Sequence, residues 1–240
     1  MFPAHPLDRP AWTALNTRQA SLAKGGSRAV KFAPDFAPFA GAADMSDESI
    51  AALAQLASPG EGLWVVEPDA FAPPPGMVAT TVAPCEQMIA TQLKPAVVSA
   101  DIEIVDLTEA DVSQMRALAA LTKPGPFAAR THQLGPFVGV KRGRELVAMA
   151  GERMKPADFT EVSGVCTHPD HRGAGYGGIL TATVAARIQA RGETPFLHVF
   201  AENAGAVRLY ESLGFSIRRT IILTVLDLEP GLDQPRAMKS

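Results

Sequence analysis

The residues best suited to chemistry lie in one glycine-rich passage in the second half of the chain. It reads Val-Cys-Thr-His-Pro-Asp-His-Arg-Gly-Ala-Gly-Tyr-Gly-Gly over residues 165–178. Glycine lets a backbone turn sharply and approach a ligand closely, because no Cβ intervenes. A helix is predicted directly after the turn, over 179–190, and the first N–H groups of a helix lack internal partners and carry its positive dipole end. The passage therefore predicts a site for a phosphate or pyrophosphate group.

Three phosphate-binding motifs share such a turn, and the neighbouring residues separate them. A Walker A loop ends in Gly-Lys-Ser/Thr, whereas Gly178 is followed by Ile179, which removes that interpretation. A dinucleotide fingerprint fits residues 173–178 loosely, but it belongs to the first turn of its fold, and no acid ends a strand ~20 residues further on. The third motif is Arg-x-x-Gly-x-Gly between a strand and a helix, which residues 172–177 match.

Other polar side chains give weaker signals of chemistry. His168 and His171 lie three residues apart without an evident third ligand, so no metal site is predicted. His198 stands among apolar residues of a predicted strand, where a hydrogen-bonded core histidine is the favoured interpretation. Cys166 is interpreted as an inert, apolar-like side chain, because no histidine–aspartate pair is recognisable with it.

The elements that position these residues follow from hydrophobic periodicity, which indicates an α/β chain in a layered α+β arrangement. Residues from 101 onward predict the order β-α-β-β-β-α-β-α-β. The predicted strands are 102–105, 137–141, 145–154, 158–167, 196–200 and 215–228, and the predicted helices are 108–121, 179–190 and 204–213. Before residue 100 the predicted helices are 11–23 and 46–57, and the predicted strands are 63–67, 77–82 and 88–93.

Composition divides the chain near residue 100, because twelve of its 20 prolines come before that point. The sequence therefore predicts a smaller mixed α/β N-terminal domain over 1–100, a second domain over 101–230 and a tail over 231–240. No catalytic constellation is recognisable in the first hundred residues.

Bulk composition restricts the class of protein. Of 240 residues, 47% are apolar and 20% charged, which permits a full hydrophobic core. A net charge of −3 gives no electrostatic footprint for nucleic acid or an anionic membrane, so neither is expected as a partner. Two cysteines, no apolar stretch of membrane-spanning length and no recognisable signal peptide make the cytoplasm the expected location.

Two blocks of the sequence together resemble the GCN5-related N-acetyltransferase (GNAT) superfamily. Residues 165–177 are similar to its strand-to-loop passage, in which the loop binds the pyrophosphate of acetyl-CoA. The second block, Glu-Asn-x-x-Ala-x-x-Leu-Tyr-Glu-x-Leu-Gly-Phe over 202–215, resembles the family's final helix and the start of the next strand. The resemblance covers about residues 101–228, and the whole chain resembles the FR47-like branch.

This resemblance implies a fold, an activity and partners. The fold is a mixed sheet flanked by helices, and residues 1–100 then either shape the substrate site or form a degenerate second copy of the same fold. The activity is transfer of an acetyl group from acetyl-CoA to a primary amine by direct attack, without a metal. The acceptor is a small-molecule or peptide amine, and a homodimer is left open. The alternative function is an acyl-CoA-binding sensor without turnover.

The resemblance also assigns roles to individual residues. Tyr210 matches the tyrosine that protonates the departing thiolate, and Glu161 matches a position from which some members deprotonate the amine, with Glu152 in reserve. Backbone groups of a strand and a loop, together with one asparagine, are expected to bind the cofactor. These residues are Val165, Cys166, Thr167, Arg172, Gly173, Ala174, Gly175, Tyr176, Gly177 and Asn203.

Overall fold

A computed structural model describes residues 5–94 and 102–230 of the chain. The strands are β1 (Ala23–Gly25), β2 (Ala29–Phe32), β3 (Phe39–Ala42), β4 (Leu63–Glu67), β5 (Met77–Ile89), β6 (Ile104–Asp106), β7 (Phe137–Arg142), β8 (Glu145–Glu152), β9 (Phe159–Thr167), β10 (Thr194–Phe200) and β11 (Ser216–Leu228). The helices are α1 (Pro10–Leu15), α2 (Asp47–Ala54), α3 (Val112–Thr122), α4 (Tyr176–Ala190) and α5 (Ala204–Ser212). The α/β class is thereby confirmed.

These elements group into two compact units. The first contains the described residues among 1–34, 38–84 and 221–240, and the second those among 35–37 and 85–220. The predicted boundary at residue 100 and the predicted tail over 231–240 lie outside the described residues. The division into domains 1–100 and 101–230 stays a prediction.

The first unit is a sheet with two helices from the same part of the chain. Its strands lie in the order β1-β2-β3-β4-β11, where β3 and β4 are parallel and the other pairs antiparallel. Leu53 of α2 packs with Leu63, Val65 and Leu226 in a buried cluster. As predicted, Ser46 caps α2, because its hydroxyl accepts a hydrogen bond from the backbone N–H of Ser49.

The predicted helix over 11–23 is wrong in length. Helix α1 ends at Leu15, and Asn16 and Thr17 follow it. The Asn16 amide and the Thr17 hydroxyl donate to the carbonyl oxygens of Trp12 and Thr13, at 2.9 Å and 2.6 Å. Side chains of these types compete with the backbone for hydrogen bonds, which favours the end of a helix.

The second unit contains the predicted mixed sheet. Its strands lie in the order β5-β10-β9-β8-β7-β6, in which only β9 and β10 form a parallel pair. Adjacent strand residues point to opposite faces: Val147 packs in the cluster that contains Leu180 of α4, and Leu146 packs with Met115 of α3. The two helices therefore cover opposite faces. No helix in the described ranges is long and apolar enough to cross a membrane.

The predicted strands 77–82 and 88–93 are wrong in their bounds, because one continuous strand, β5, runs from Met77 to Ile89. Its end, from Cys85 to Ile89, pairs antiparallel with β10 from Phe200 to Phe196. Polar residues at 86 and 87 interrupt the apolar pattern, and the pairing partner is more than 100 residues away in the sequence. A local pattern could not indicate this strand pairing.

Candidate active site

Two parallel strands separate where the predicted site begins. The pairing of β9 with β10 ends at Glu161↔Phe196, although β9 continues to Thr167 and β10 to Phe200. Beyond this point β9 pairs with β8, and β10 pairs with β5. Beyond Glu161 and Phe196 the facing edges of β9 and β10 therefore form a gap, which we call the opening. An extended ligand can add to a strand there through main-chain hydrogen bonds.

A bulge bends β9 at the start of this opening. The register with β8 shifts between Gly151↔Ser163 and Met149↔Cys166. Between them Gly164 has φ +64°, and a Cβ there would lie 2.9 Å from Cε1 of Phe137. Only glycine meets both constraints without strain. Gly164 was not among the predicted site residues, although a lone glycine inside a predicted strand is itself a signal for a bulge.

The glycine-rich loop leads directly into a helix, as predicted, but α4 begins at Tyr176 and not at the predicted residue 179. Gly173 and Gly175 have φ of +82° and +78°, and Gly175 is the N-cap of α4 without any side-chain cap. A Cβ on Gly173 would meet no heavy atom of the described chain within 4 Å, whereas one on Gly177 would lie 3.9 Å from Cγ1 of Val165. The uncapped helix N-terminus therefore adjoins the open strand and can receive an anion.

Two predicted binding residues have buried side chains. Tyr176 is buried, and its hydroxyl accepts hydrogen bonds from Nε and Nη2 of Arg142, at 2.9 Å and 2.5 Å. Cys166 is buried as well, and burial raises the pKa of its thiol to about 11. Both residues can offer only their backbone groups to a ligand. Arg172 and Ala174 are exposed, and Thr167 is half-buried.

Helix α5 places the two predicted residues of the second sequence block. Asn203 is its N-cap, with Oδ1 accepting a hydrogen bond of 3.1 Å from the Ala206 N–H. A Cβ on Gly178 would lie 3.1 Å from Cδ1 of Leu209, so α5 contacts the first turn of α4. Tyr210, which follows Leu209, therefore lies on the helix that borders the loop.

Tyr210 combines an apolar setting with an unused hydroxyl. Its ring packs against Phe215 with centroids 6.1 Å apart. Burial raises the pKa of the phenol to about 12. Within the described ranges its hydroxyl hydrogen-bonds to no other group. The side chain is thus a protonated O–H donor that lacks a structural partner.

Glu161 occupies the point where β9 and β10 part, and it is fully buried. Its Oε1 accepts from Arg153 Nη2 at 2.7 Å and from His198 Nδ1 at 2.8 Å, and its Oε2 accepts from Arg153 Nε at 2.8 Å. Burial alone would raise the pKa of this carboxyl, but the Arg153 charge and the hydrogen bonds from Arg153 and His198 lower it to about 2. An amine cannot touch Glu161 in this arrangement.

Further groups extend this network beyond the sequence prediction. His198 Nε2 lies 3.0 Å from Nε2 of Gln87, and Gln87 Oε1 accepts a 2.6 Å hydrogen bond from Arg218 Nε. The expected core histidine is thus hydrogen-bonded at both ring nitrogens. Gln87 and His198 are 111 residues apart, so no local signal could have indicated that they meet. Glu152, the reserve base, is bonded to Arg191 at 2.7 Å.

A pocket of about 540 Å³ lies beside α3 and the loop after it. Ser113, Arg116, Lys123 and Phe127 contribute to its lining. Gly125 belongs to the same loop, and a Cβ on it would lie 3.9 Å from Nη1 of Arg153. The pocket therefore approaches the network around Glu161. The described part of the chain holds no cluster of three or more potential metal-ligating side chains.

Comparison with known proteins agrees with this geometry. The family model described as FR47-like protein matches residues 137–222. A GNAT-family acetyltransferase from Novosphingobium aromaticivorans is 44% identical over 94% of this chain and all of its own, and its crystal structure superposes with a TM-score of 0.87. A GCN5-related N-acetyltransferase from Kribbella flavida, 19% identical over 92% of this chain and 96% of its own, shares the fold with a TM-score of 0.64. No curated protein matches the chain.

The 44% identity across nearly the whole chain establishes its family. The chain belongs to the GNAT superfamily, its residues 137–222 match the FR47-like family model, and it is an acyltransferase. The predicted family, fold class and enzyme class are thereby confirmed.

Proposed function

We propose that this acyltransferase moves an acetyl group from acetyl-CoA to a primary amine by direct attack. One observation carries the proposal: the opening between β9 and β10 adjoins the uncapped N-terminus of α4. Acetyl-CoA has an extended, amide-containing arm that begins at a pyrophosphate and ends in a thioester. The arm can pair with main-chain groups in the opening, and the pyrophosphate can bind at the N-terminus of α4.

Individual residues would share the binding of acetyl-CoA. The backbone of Arg172, Gly173, Ala174, Gly175, Tyr176 and Gly177 would surround the pyrophosphate. Val165, Cys166 and Thr167 would pair with the arm through their N–H and C=O groups, which places the thioester near the start of the opening. Asn203, whose carbonyl oxygen is used in capping α5, would contact the cofactor through its amide N–H group.

The chemistry requires a proton donor at sulfur and an acceptor at nitrogen. The amine nitrogen attacks the thioester carbonyl, a main-chain N–H of the opened β9 stabilises the developing oxyanion, and the C–S bond then breaks. Tyr210 would give its proton to the departing thiolate, since its hydroxyl is protonated and has no structural bond to lose. Glu161 would draw the amine proton through an intermediate group rather than by contact, because both of its oxygens are occupied.

Turnover with a panel of amines tests the proposal. The protein is incubated with acetyl-CoA and, in turn, with peptides, amino acids, polyamines and aminoglycosides, while free thiol is measured. We expect thiol release to depend on at least one amine. Tight acetyl-CoA binding without amine-dependent thiol release would instead favour an acyl-CoA sensor.

A further inference from the structure

A linear network of hydrogen bonds crosses the sheet of the second unit beside the opening. It runs from Arg218, in the part of β11 before Ile221 that belongs to the second unit, through Gln87 on β5 to His198 on β10, and ends at Glu161 on β9. All three donor–acceptor distances lie between 2.6 Å and 3.0 Å. The groups at each end of the network independently determine which ring nitrogen of His198 carries a hydrogen.

The Glu161 end fixes the proton on Nδ1 of His198. Arg153 donates to both carboxylate oxygens of Glu161, and the Met154 N–H donates to Oε2 at 3.3 Å. A carboxylate paired in this way is ionised and can only accept hydrogen bonds. Nδ1 of His198 must therefore carry a hydrogen and donate it to Oε1.

The Arg218 end fixes Nε2 of His198 as an acceptor. An arginine side chain has only donors, so the Gln87 amide must turn its oxygen toward Nε of Arg218. Its NH₂ group then faces Nε2 of His198, which has to supply the lone pair. The two ends agree on one state of the imidazole: neutral, with hydrogen on Nδ1 and a lone pair on Nε2.

This state leaves a basic lone pair on Nε2, which can take up a proton once the hydrogen bond from Gln87 is given up. A proton that binds to Nε2 would be stabilised by the Glu161 carboxylate, which accepts a hydrogen bond from Nδ1–H. The same proton would face the NH₂ group of Gln87, which is itself a hydrogen-bond donor. The Glu161 carboxylate thus supports transfer of a proton to Nε2. The charged groups of this network are Glu161 from β9, Arg153 after β8 and Arg218 from β11.

The position of His198 suits contact with the acceptor better than that of Glu161. It lies two residues beyond Phe196, the last residue of β10 that pairs with β9. Its side chain retains 10% exposure, against 1% for Glu161. The ring of Phe196 stands edge-on to the imidazole of His198, with centroids 5.4 Å apart.

We propose that His198 is the group that takes the proton from the attacking amine, with Glu161 and Gln87 as positioning residues. The inference rests on the proposed function. As nitrogen bonds to the carbonyl carbon, its proton passes to Nε2 of His198 in place of the Gln87 hydrogen bond. The C–S bond breaks with both electrons going to sulfur, and sulfur takes the Tyr210 proton. The imidazolium returns one proton to the tyrosinate through solvent, so one proton moves from nitrogen to sulfur overall.

Replacement of His198 tests the base directly. His198→Asn keeps an N–H able to bond Glu161 and removes the basic nitrogen. We expect kcat to fall by ~10²–10⁴, with little change in the affinity for acetyl-CoA and with loss of the acidic limb of the pH profile. His132→Asn is the matched control, since that ring is also 10% exposed and paired with a glutamate, Glu109. It should retain wild-type rates.

Gln87→Glu tests the positioning role of Gln87 through the pH dependence of kcat/KM, which a packing defect alone would not shift. A carboxylate facing Nε2 favours the imidazolium, so the acidic limb of kcat/KM should move to higher pH, and raising the pH should restore the rate. In the wild-type protein, imidazole nitrogen shifts measured by NMR at neutral pH should show hydrogen on Nδ1 of His198. Because this measurement uses the wild-type protein, it does not depend on whether a variant folds.

The outcomes separate the two proposals. A wild type that releases no thiol with any amine overturns the proposed function and this inference with it. A wild type that turns over, beside a folded His198→Asn enzyme within threefold of its rate, overturns only the inference. Hydrogen on Nε2 in the NMR spectrum, or a Gln87→Glu profile that is not displaced, would also overturn it.

Discussion

The proposed role of Tyr210 as a proton donor can be tested separately from its role in packing. Tyr210→Phe removes a hydroxyl that bonds to no other described group, so the fold and acetyl-CoA binding should be unchanged. If Tyr210 protonates the thiolate, kcat and kcat/KM should both fall by ~10²–10⁴, because the bond exists only in the transition state. Steady-state kinetics beside calorimetric titration checks this. A variant within threefold of wild type would assign Tyr210 to packing and leave the proton to water.

The pH profile gives a second test at the same residue. Burial raises the pKa of Tyr210 to about 12, so the phenol stays protonated throughout the range in which most proteins are stable. We expect kcat to show no loss attributable to this donor between about pH 8 and about pH 10. A basic limb in that range that disappears in Tyr210→Phe would contradict the raised pKa.

The sequence revealed residues whose type and spacing carry a motif, and missed those that act through distant partners. The glycines of the loop, Asn203 and Tyr210 are recognisable because neighbours in the sequence define them. Arg153 and Gln87 have no such neighbours, since they meet Glu161 and His198 only when strands from remote segments pair. Glu161 itself was placed on the right strand, but its burial could not be predicted.

At the scale of elements, the start of α4 can be tested by a matched pair of glycines. Gly175 and Gly192 flank α4 and both have φ of +78°, so valine strains the backbone equally at either position. We expect Gly175→Val to weaken CoA binding at least tenfold, ~1.4 kcal/mol, because a branched side chain enters the pyrophosphate site. Gly192→Val should lose similar stability but keep CoA affinity. Equal affinities in calorimetric titration of the two folded variants would contradict the proposed loop function.

The end of β4 carries a buried carboxyl that makes the first unit sensitive to pH. Glu67 has one oxygen paired with Arg9 at 3.0 Å and the other without a hydrogen-bond partner among the described residues. Burial raises the pKa of Glu67 to about 7, against the opposing charge of Arg9. The folded state therefore binds this proton more tightly than the unfolded state.

The sign of the effect on stability follows from this linkage. The contribution of Glu67 is fully present below about pH 4.5, where a glutamate in the unfolded chain takes up its proton, and is lost as pH rises toward 7. Its slope is at most ~1.4 kcal/mol per pH unit. Urea unfolding between about pH 4.5 and about pH 7.5 should show a flatter dependence for Glu67→Gln than for wild type. The exposed Glu48→Gln is the control, and an identical slope in Glu67→Gln would refute the assignment.

Elements were predicted well where local signals exist. The capped helix α2, the hairpin of β7 and β8 and the loop before α4 all depend on nearby residues. The length of β5 and the separation of β9 from β10 depend on pairing between remote strands, and the bulge at Gly164 shifts a register that no periodicity shows. The separation that forms the opening, in which we propose that acetyl-CoA binds, is seen only in the structure.

At the scale of the whole molecule, each compact unit is built from more than one segment of the chain. The second unit includes Cys85–Ile89, which pairs with β10, and residues 35–37. The Thr131 hydroxyl donates to the Phe36 carbonyl at 2.6 Å, and the Arg130 N–H donates to the Asp35 carbonyl at 2.7 Å. A fragment that starts at residue 101 lacks all of these partners.

Such a fragment should therefore fold poorly. We expect residues 101–240 to unfold without a cooperative transition in urea and to bind CoA at least tenfold more weakly than the full chain. A fragment that begins at residue 85 restores the β10 partner strand and is the informative comparison. Cooperative unfolding and full CoA affinity of the 101–240 fragment would show that a boundary near residue 100 is sufficient for an independent domain.

Transfer of an acetyl group from CoA to an amine is the step on which the proposed roles of all the site residues depend. It is tested most directly by following an isotope-labelled acetyl group of acetyl-CoA by mass spectrometry, with the wild-type protein and each amine that promotes thiol release. We expect the label to appear on the amine nitrogen in step with free CoA and never on the protein, Cys166 included. Label that remains on intact acetyl-CoA, or appears only as free acetate, would contradict it.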